Sequence, residues 1–306
     1  MGIASPKKPS RQPPMQISAN GIALEVEDHG PTSGEPLLLI MGLGMQLLGW
    51  PDEFVAQLVA AGFRVIRFDN RDIGLSQGFD HLGVPHIGLA SLQHLLHLPV
   101  KSPYSLADMA EDARGLLDAL GIARAHVCGA SMGGMIAQHL AARHPDRLKS
   151  LTLMMTSSGS RRLPGPSFKV RAGLMARPPR EHEALVAHSA DFVRLIGSPA
   201  YPLPEGWLEA RVDRAIRRSH RPRGLLRQLS AVAADADRTP LLARIQAPTL
   251  VIHGSVDPLV PVPAGRDLAR RIPAAALDEI EGMGHDLPPA LWPRFVAGIR
   301  QAAQRA

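Results

Sequence analysis

The sequence predicts an α/β fold, with a mostly parallel central sheet, helices on both faces and a helical cap. Three observations carry this. Continuous apolar runs of the kind found in strands covered on both faces alternate with segments of helical period. The alternation occupies residues 15–156 and returns over 239–306. Between them, 157–238 is rich in Arg, Pro and helix formers and holds no strand-like run, as an inserted cap would. A chain of 306 residues suits one large domain with such an excursion better than two equal domains. Its 45% hydrophobic and 20% charged residues are the balance of an ordinary globular protein, so disorder is expected only locally.

Taken in order, residues 1–14 read as a disordered tail. They carry positive charge without an apolar stretch, so no secretory signal is expected, and position 6 lacks the Ser or Thr that myristoylation would want. A hairpin follows, turning at Asn20-Gly21. PLLLIMG (36–42) reads as a buried strand. WPDEFVAQLVAAG (50–62) reads as a helix, with Pro51 suited to the first turn and Gly62 closing it. RVIRFDN (64–70) is the next strand. In SLADMAEDARGLLDALG (105–121), Leu106, Met109, Ala113, Leu116 and Leu120 keep the helical period, Ser105 with Asp108 forms a capping box, and Gly121 is the stop. AHVCGAS (125–131) is a strand that runs straight into the helix MGGMIAQHLAARH, and LKSLTLMMT (148–156) is another strand. After the cap come a strand at 247–254, a helix near 263–271, a strand at 275–282 and a last helix from about 290.

The net charge of +6 raises the question of an anionic partner. Arg161, Arg162, Arg211, Arg214, Arg217, Arg218, Arg221 and Arg223 cluster in the cap, interleaved mainly with Leu, Ala and Glu and without a regular series of aromatic residues to stack on bases. They read as a solvated helical face, and no nucleic acid is expected as partner. The single cysteine, Cys128, excludes an intramolecular disulfide and reads as a buried strand residue. The apolar runs fall short of the ~20 residues that span a bilayer, so no membrane partner and a cytoplasmic location are expected. Oligomeric state is not legible. The stretch 81–104 holds His81, His86, His94 and His97. No carboxylate or cysteine joins His94 and His97 at ligand spacing, and Leu92, Leu95, Leu96 and Leu98 surround them, so they read as structural or surface residues and no metal is expected. This loop is expected to form part of a pocket mouth.

The chemistry centres on GASMG (129–133). A strand ending in Gly-x-Ser-x-Gly that opens a helix must turn sharply at the serine, in a backbone conformation where side chains at Gly129 and Gly133 would collide with their neighbours. The hydroxyl of Ser131 is thereby raised above the C-terminal edge of the sheet, at a helix N-terminus that favours developing negative charge. A serine needs a base and a group to orient that base. His285 follows a strand in a glycine-containing loop at the same edge. His144 lies too far along the helix after Ser131, and His253 sits within a strand. Asp257 follows the strand TLVIHG at this edge, whereas Asp235 and Asp237 lie at the cap exit and Asp286 is too close to His285 to orient it. The oxyanion should meet two backbone N–H groups, that of Met132 after the nucleophile and that of Leu43 after Gly42. Met41, Met45 and Met283, with Met132 and Met135, either line an adaptable apolar substrate pocket or pack in the core.

This succession of strand, nucleophile elbow, cap, aspartate and histidine resembles the α/β-hydrolase superfamily, from about residue 16 onward. Within it, MGLGMQLLGWPDEF, RVIRFDNRDIGLS and GASMGG are similar to the aclacinomycin methylesterase-like group of carboxylic ester hydrolases. The match rests on Met41 and Gly42 where most relatives carry His-Gly, on Gly49, Trp50, Pro51 and Asp52, and on Asp69, Arg71 and Asp72. The resemblance implies a triad of Ser131, Asp257 and His285, an oxyanion hole from the amides of Leu43 and Met132, and no cofactor. The 81–104 loop is longer than in the methylesterase and the cap lacks recognisable substrate determinants, so the anthracycline substrate is not carried over. Ser131 excludes the haloalkane dehalogenases and epoxide hydrolases, which need a carboxylate nucleophile. MGLG departs from the HGGG lipases, and Met132 stands where a prolyl aminopeptidase would usually have Trp. The expected function is hydrolysis of a small-molecule carboxylic ester through an acyl-enzyme. A cofactor-free perhydrolase or haloperoxidase, or a carbon-carbon bond hydrolase, could use the same triad, and a ligand receptor on this scaffold would not need the triad intact.

Overall fold

The computed structural model describes residues 14–86, 88, 93, 96, 98–235 and 237–306. The expected tail lies outside the described residues except for Pro14, as do His94 and His97 of the 81–104 stretch.

The apolar runs form one eight-stranded sheet. Its strands are β1 (Met15–Ala19), β2 (Ile22–His29), β3 (Glu35–Ile40), β4 (Phe63–Phe68), β5 (Ala125–Ala130), β6 (Leu148–Met154), β7 (Thr249–Gly254) and β8 (Ala276–Ile280). The order across the sheet is β1-β2-β4-β3-β5-β6-β7-β8. β1 and β2 form the expected hairpin, with positive φ at both Asn20 and Gly21, and β2 joins β4 antiparallel. All later pairings are parallel. A parallel pair needs a crossover, and the helical segments supply these.

The helices are α1 (Asp52–Ala60), α2 (Leu106–Ala119), α3 (Met132–Arg143), α4 (Phe168–Met175), α5 (His182–Ile196), α6 (Trp207–Arg218), α7 (Pro222–Ala234), α8 (Thr239–Leu242), α9 (Pro263–Arg271) and α10 (Trp292–Ala303). Side-chain alternation along β3 splits the core in two. Leu38 and Ile40 join Leu106, Met109, Leu116, Ile136 and Leu140 of α2 and α3. Leu37 and Leu39 join Phe54 and Leu58 of α1 and Trp292, Phe295 and Ile299 of α10. The Ser105 capping box on α2 is present, and Gly121 takes φ 67° just past its end. Cys128 is fully buried in β5, where burial pushes its thiol up. No described helix is long and apolar enough to cross a membrane.

Helices α4 to α8 lie between β6 and β7, with no strand among the described residues there. Several of the arginines read as a solvated face are instead fastened to the core. Arg218 donates from Nη1 to Asp69 Oδ2 at 2.7 Å and to Gln46 Oε1 at 2.6 Å. Arg211 donates to Leu48 O at 2.6 Å and lies over the Trp207 ring. Arg221 donates to Ser76 O at 2.9 Å. Arg217, paired among the described residues with Asp213 of its own helix alone, keeps the solvated role. The amphipathic pattern is the same in both cases, because the partners that distinguish them lie some 150 residues away in sequence.

The deepest of these ties was not singled out in the sequence. Arg227 on α7 is 1% exposed and grips Asp72, itself fully buried, through Nε at 2.8 Å and Nη2 at 2.7 Å. Asp72 also accepts from Phe79 N and Tyr104 Oη, each at 2.8 Å. Burial alone would raise the Asp72 carboxyl, but the Arg227, Phe79 and Tyr104 donors together hold it below its ordinary value.

Breaking this pair leaves a buried charge without compensation. Arg227→Met is expected to lower unfolding free energy by about 3–5 kcal/mol in urea titration. Because the folded carboxyl titrates low, its stabilisation is present above the ordinary value of 3.8 and is lost as pH falls through the lower folded value. Asp72→Asn should therefore flatten the acid limb of a stability-versus-pH curve. An unchanged acid limb would assign acid unfolding to other carboxylates.

Candidate active site

The elbow begins where β5 ends. Ser131 has φ 54° and ψ −121°, the strained backbone that the Gly-x-Ser-x-Gly pattern demands, and α3 starts at the next residue. Two glycines make the turn possible. A Cβ at Gly129 would lie 2.3 Å from the Gly133 carbonyl oxygen, and one at Gly133 would lie 2.0 Å from that of Ile40. The β3 terminus, the serine turn and the first turn of α3 are thus packed backbone to backbone. Ser131 N donates to Met154 O at 2.9 Å, and Thr156 Oγ1 donates to Ser131 O at 2.7 Å, which ties the turn to β6 and its exit.

Asp257 and His285 meet at this edge. His285 Nδ1 donates to Asp257 Oδ2 at 2.6 Å, and both residues are buried. The carboxylate has no proton to give, so Nδ1 carries the hydrogen and Nε2 presents a lone pair. Asp257 Oδ1 is held by the N–H groups of Leu259 at 2.9 Å and Val260 at 2.8 Å. His253, packed in β7 as expected, donates from Nε2 to Val260 O at 2.7 Å and so closes the same loop from beneath. Burial pushes its imidazole below the ordinary value, which favours the neutral ring. His144 ends α3 and pairs with Glu111, away from the elbow. Among the described residues Ser131 Oγ makes no hydrogen bond, so it is not joined to His285 in this structure.

The loop after β3 passes close to the serine. A Cβ at Gly42 would lie 3.1 Å from Ser131 Cβ, so the amide of Leu43 follows a residue packed against Ser131. Among the described residues the N–H groups of Leu43 and Met132 have no acceptor. The loop is clamped along its length. Asn70 Nδ2 donates to Met41 O at 2.9 Å, Gly44 N donates to Gln228 Oε1 at 2.9 Å, and Leu47 N donates to Asp69 Oδ1 at 2.7 Å. Gln228 is fully buried on α7 and donates in turn to Arg71 O at 2.8 Å. Met41 and Met283 pack in the core beside Trp50 and Phe54, while Met45 projects from the loop at 47% exposure.

Residues with no local sequence signal fasten the His285 loop as well. His285 N donates to Ile196 O at 2.7 Å at the end of α5, and Gly284 N donates to Ser198 Oγ at 2.9 Å. Ser198 Oγ in turn donates to Asp286, whose carboxyl burial pushes up. Nothing in the sequence around Ser198 or Gln228 signals these contacts, because each joins segments more than 80 residues apart.

A parallel sheet with a strained serine at one strand end and an Asp–His pair after two later strands defines a hydrolase of the α/β type. The chain belongs to the α/β-hydrolase fold family, whose model matches residues 35–288. It is 33% identical to the rhodomycin D methylesterase DauP of Streptomyces sp. (strain C5), over 94% of this chain and 97% of that one. It is 31% identical to the rhodomycin D methylesterase DnrP of Streptomyces peucetius, with the same coverage. Among solved structures it superposes on an enol-lactonase from Burkholderia xenovorans LB400 with a TM-score of 0.72 and 26% identity, covering 95% of this chain and 100% of that one. Within the family it falls in the aclacinomycin methylesterase-like group, and it is a carboxylic ester hydrolase.

The crowded elbow gives a direct test. Gly133→Ala would drive a methyl group into the Ile40 and Met41 carbonyls, at 2.0 and 2.8 Å, and neither backbone can yield. The variant is expected to lose about 4 kcal/mol or more of stability in thermal or urea unfolding. Wild-type stability would mean that the turn is not packed this tightly.

Proposed function

We propose that Ser131, His285 and Asp257 act as a nucleophile–base–acid triad that cleaves a carboxylic ester through an acyl-enzyme. The observation that carries this is the 2.6 Å contact from His285 Nδ1 to Asp257, at the sheet edge where Ser131 stands in its strained turn. With Nδ1–H committed to Asp257, Nε2 takes the Ser131 proton as Oγ attacks the ester carbonyl. The tetrahedral oxyanion accepts from the amides of Leu43 and Met132, both free of other acceptors among the described residues. The imidazolium, stabilised by Asp257, returns the proton to the departing alcohol. A water deprotonated by His285 then attacks the acyl carbonyl, and collapse releases the acid and Ser131.

The relatives named as methylesterases support a methyl ester as substrate, with methanol as the small leaving alcohol. We assign residues 157–238 as the cap over this site, and Met45 of the loop after β3, 47% exposed, as a contact to substrate. A lone buried thiol and no disulfide support action in the cytoplasm.

The test is hydrolysis of a series of methyl and p-nitrophenyl esters. Ser131→Ala and His285→Ala should each lose up to about a millionfold in kcat, and Ser131→Ala should no longer take a fluorophosphonate label. Asp257→Asn should lose about 10⁴. Retained turnover in His285→Ala would move the base to another histidine, and failure of every ester would remove the esterase reading.

Gln228 offers a finer test of the oxyanion assignment. Gln228→Leu frees Gly44 N and so the peptide that follows Leu43. It should lower kcat by about ten- to a hundredfold, less than outright loss of one oxyanion donor, with KM little changed. Affinity for a boronic acid that mimics the tetrahedral species should fall by the same factor, whereas affinity for the product acid should not. Equal losses for both ligands would make Gln228 a general packing residue.

A further inference from the structure

Residues 161–180 are a part of the cap that gives no side chain to the site or to its supports described above. They hold six cations, Arg161, Arg162, Lys169, Arg171, Arg177 and Arg180, and no carboxylate. All six side chains are exposed, and among the described residues none is ion-paired. Elsewhere several exposed arginines are ion-paired, Arg217 with Asp213, Arg266 with Glu279 and Arg294 with Asp278, and those unpaired among the described residues, such as Arg143, Arg244 and Arg300, are scattered along the chain and not gathered in one segment.

Helix α4 runs through the middle of this segment. Its inner side is Val170, fully buried, and Gly173, which lies against Phe192 and Leu195 of α5. Positions 168, 171, 172 and 175 share the opposite face by helical spacing. There Phe168 is 88% exposed and Met175 64% exposed, with Arg171 between them, and Leu174 beside them is 41% exposed. Ser167, the N-cap residue of α4, donates its backbone N–H to Pro258 O at 3.0 Å, and Pro258 adjoins Asp257. The apolar tip therefore starts at the catalytic edge of the molecule.

We infer that α4 and its flanks form a docking surface for a bilayer that carries anionic lipids. Phe168 and Met175 enter the boundary of the acyl layer, and the surrounding cations face lipid phosphates. The shape and charge of the segment favour this occupant. Phe168 and Met175 project from a single two-turn helix instead of lining a groove, and a bilayer, unlike a protein partner, needs no pocket geometry to receive them. The cations are spread along twenty residues, which matches an extended negative plane better than a few fixed carboxylates. The sequence-based expectation of no membrane partner rested on the absence of a spanning segment, and peripheral docking requires none. Combined with the proposed ester hydrolysis, on which this one consequence rests, docking would let an amphiphilic ester enter the site from the interface.

The experiment is co-sedimentation of the full chain with vesicles of phosphatidylcholine alone and of phosphatidylcholine containing phosphatidylglycerol. Binding is expected with phosphatidylglycerol at low salt. It should be weakened at least about tenfold without the anionic lipid, and likewise in about 1 M salt, where the screening length is about 3 Å. Phe168→Ser with Met175→Ser, and separately Lys169→Gln with Arg171→Gln and Arg177→Gln, should each weaken partition at least about tenfold while hydrolysis of a soluble ester stays unchanged. Ser131→Ala should bind vesicles like wild type, so that a failure of docking and a failure of the esterase reading remain distinct. No partition into the anionic vesicles, or equal partition by wild type and both variants, would overturn the proposal. Retention on an immobilised acidic protein without vesicle binding would also overturn it, assigning the patch to a protein partner.

Discussion

Ser131 holds φ 54° and ψ −121°, a backbone state that costs about 1–3 kcal/mol for a residue with a side chain. It persists because Gly129 and Gly133 let β3, β5 and α3 approach backbone to backbone, closer than any Cβ would permit. The same approach brings Gly42 against Ser131. One steric constraint therefore sets where the hydroxyl stands, where α3 begins, and where the loop bearing Leu43 must pass. The parallel order of β5, β6, β7 and β8 then delivers Asp257 and His285 to that same edge.

The loop beside the nucleophile could not keep its place on intrinsic preference. Its fixed points come from two directions, Asp69 and Asn70 after β4 on one side and Gln228 of α7 on the other. Arg218 binds Asp69 and Arg227 binds Asp72, so the segment after β4 is itself gripped by the cap. Buried ion pairs of this kind are a poor source of net stability, because desolvation offsets most of their attraction. What they supply is direction: a guanidinium that grips a carboxylate with two donors fixes the register between helix and loop in a way that apolar contact would not.

The sheet, its helices and the proposed triad were legible because local physics governs them. Strand runs buried on both faces, the Ser105 capping box and the Asn20-Gly21 turn each act over a few residues. The elbow pattern is confined to five. His285 and Asp257 could be picked from among many histidines and aspartates because only loops at one end of a parallel sheet can meet the serine. The cap arginines were not legible. A helix that carries Arg211, Arg217 and Arg218 looks equally amphipathic whether they face water or Asp69, and the deciding partners lie far away in sequence. For Met41 and Met283 the sequence leaves both roles open for a related reason, since an apolar side chain near the site fits a core as well as a pocket wall.

The supports of the His285 loop and of the loop after β3 both come from the segment between β6 and β7, from its α5 end and from α7. His285 N and Gly284 N are held by Ile196 O and Ser198 just past α5, while Gly44 N is held by Gln228 of α7. Neither of these two cap residues needs to touch substrate to matter for turnover. A shift of α5 would loosen the loop that carries His285, and a shift of α7 would disturb the peptide next to Leu43. The segment between β6 and β7 is therefore mechanically tied to both loops of the candidate site. Substitutions that alter ester preference in these helices should be constrained by the positions of Ser198 and Gln228, whereas the outward face of α4 is free of that constraint.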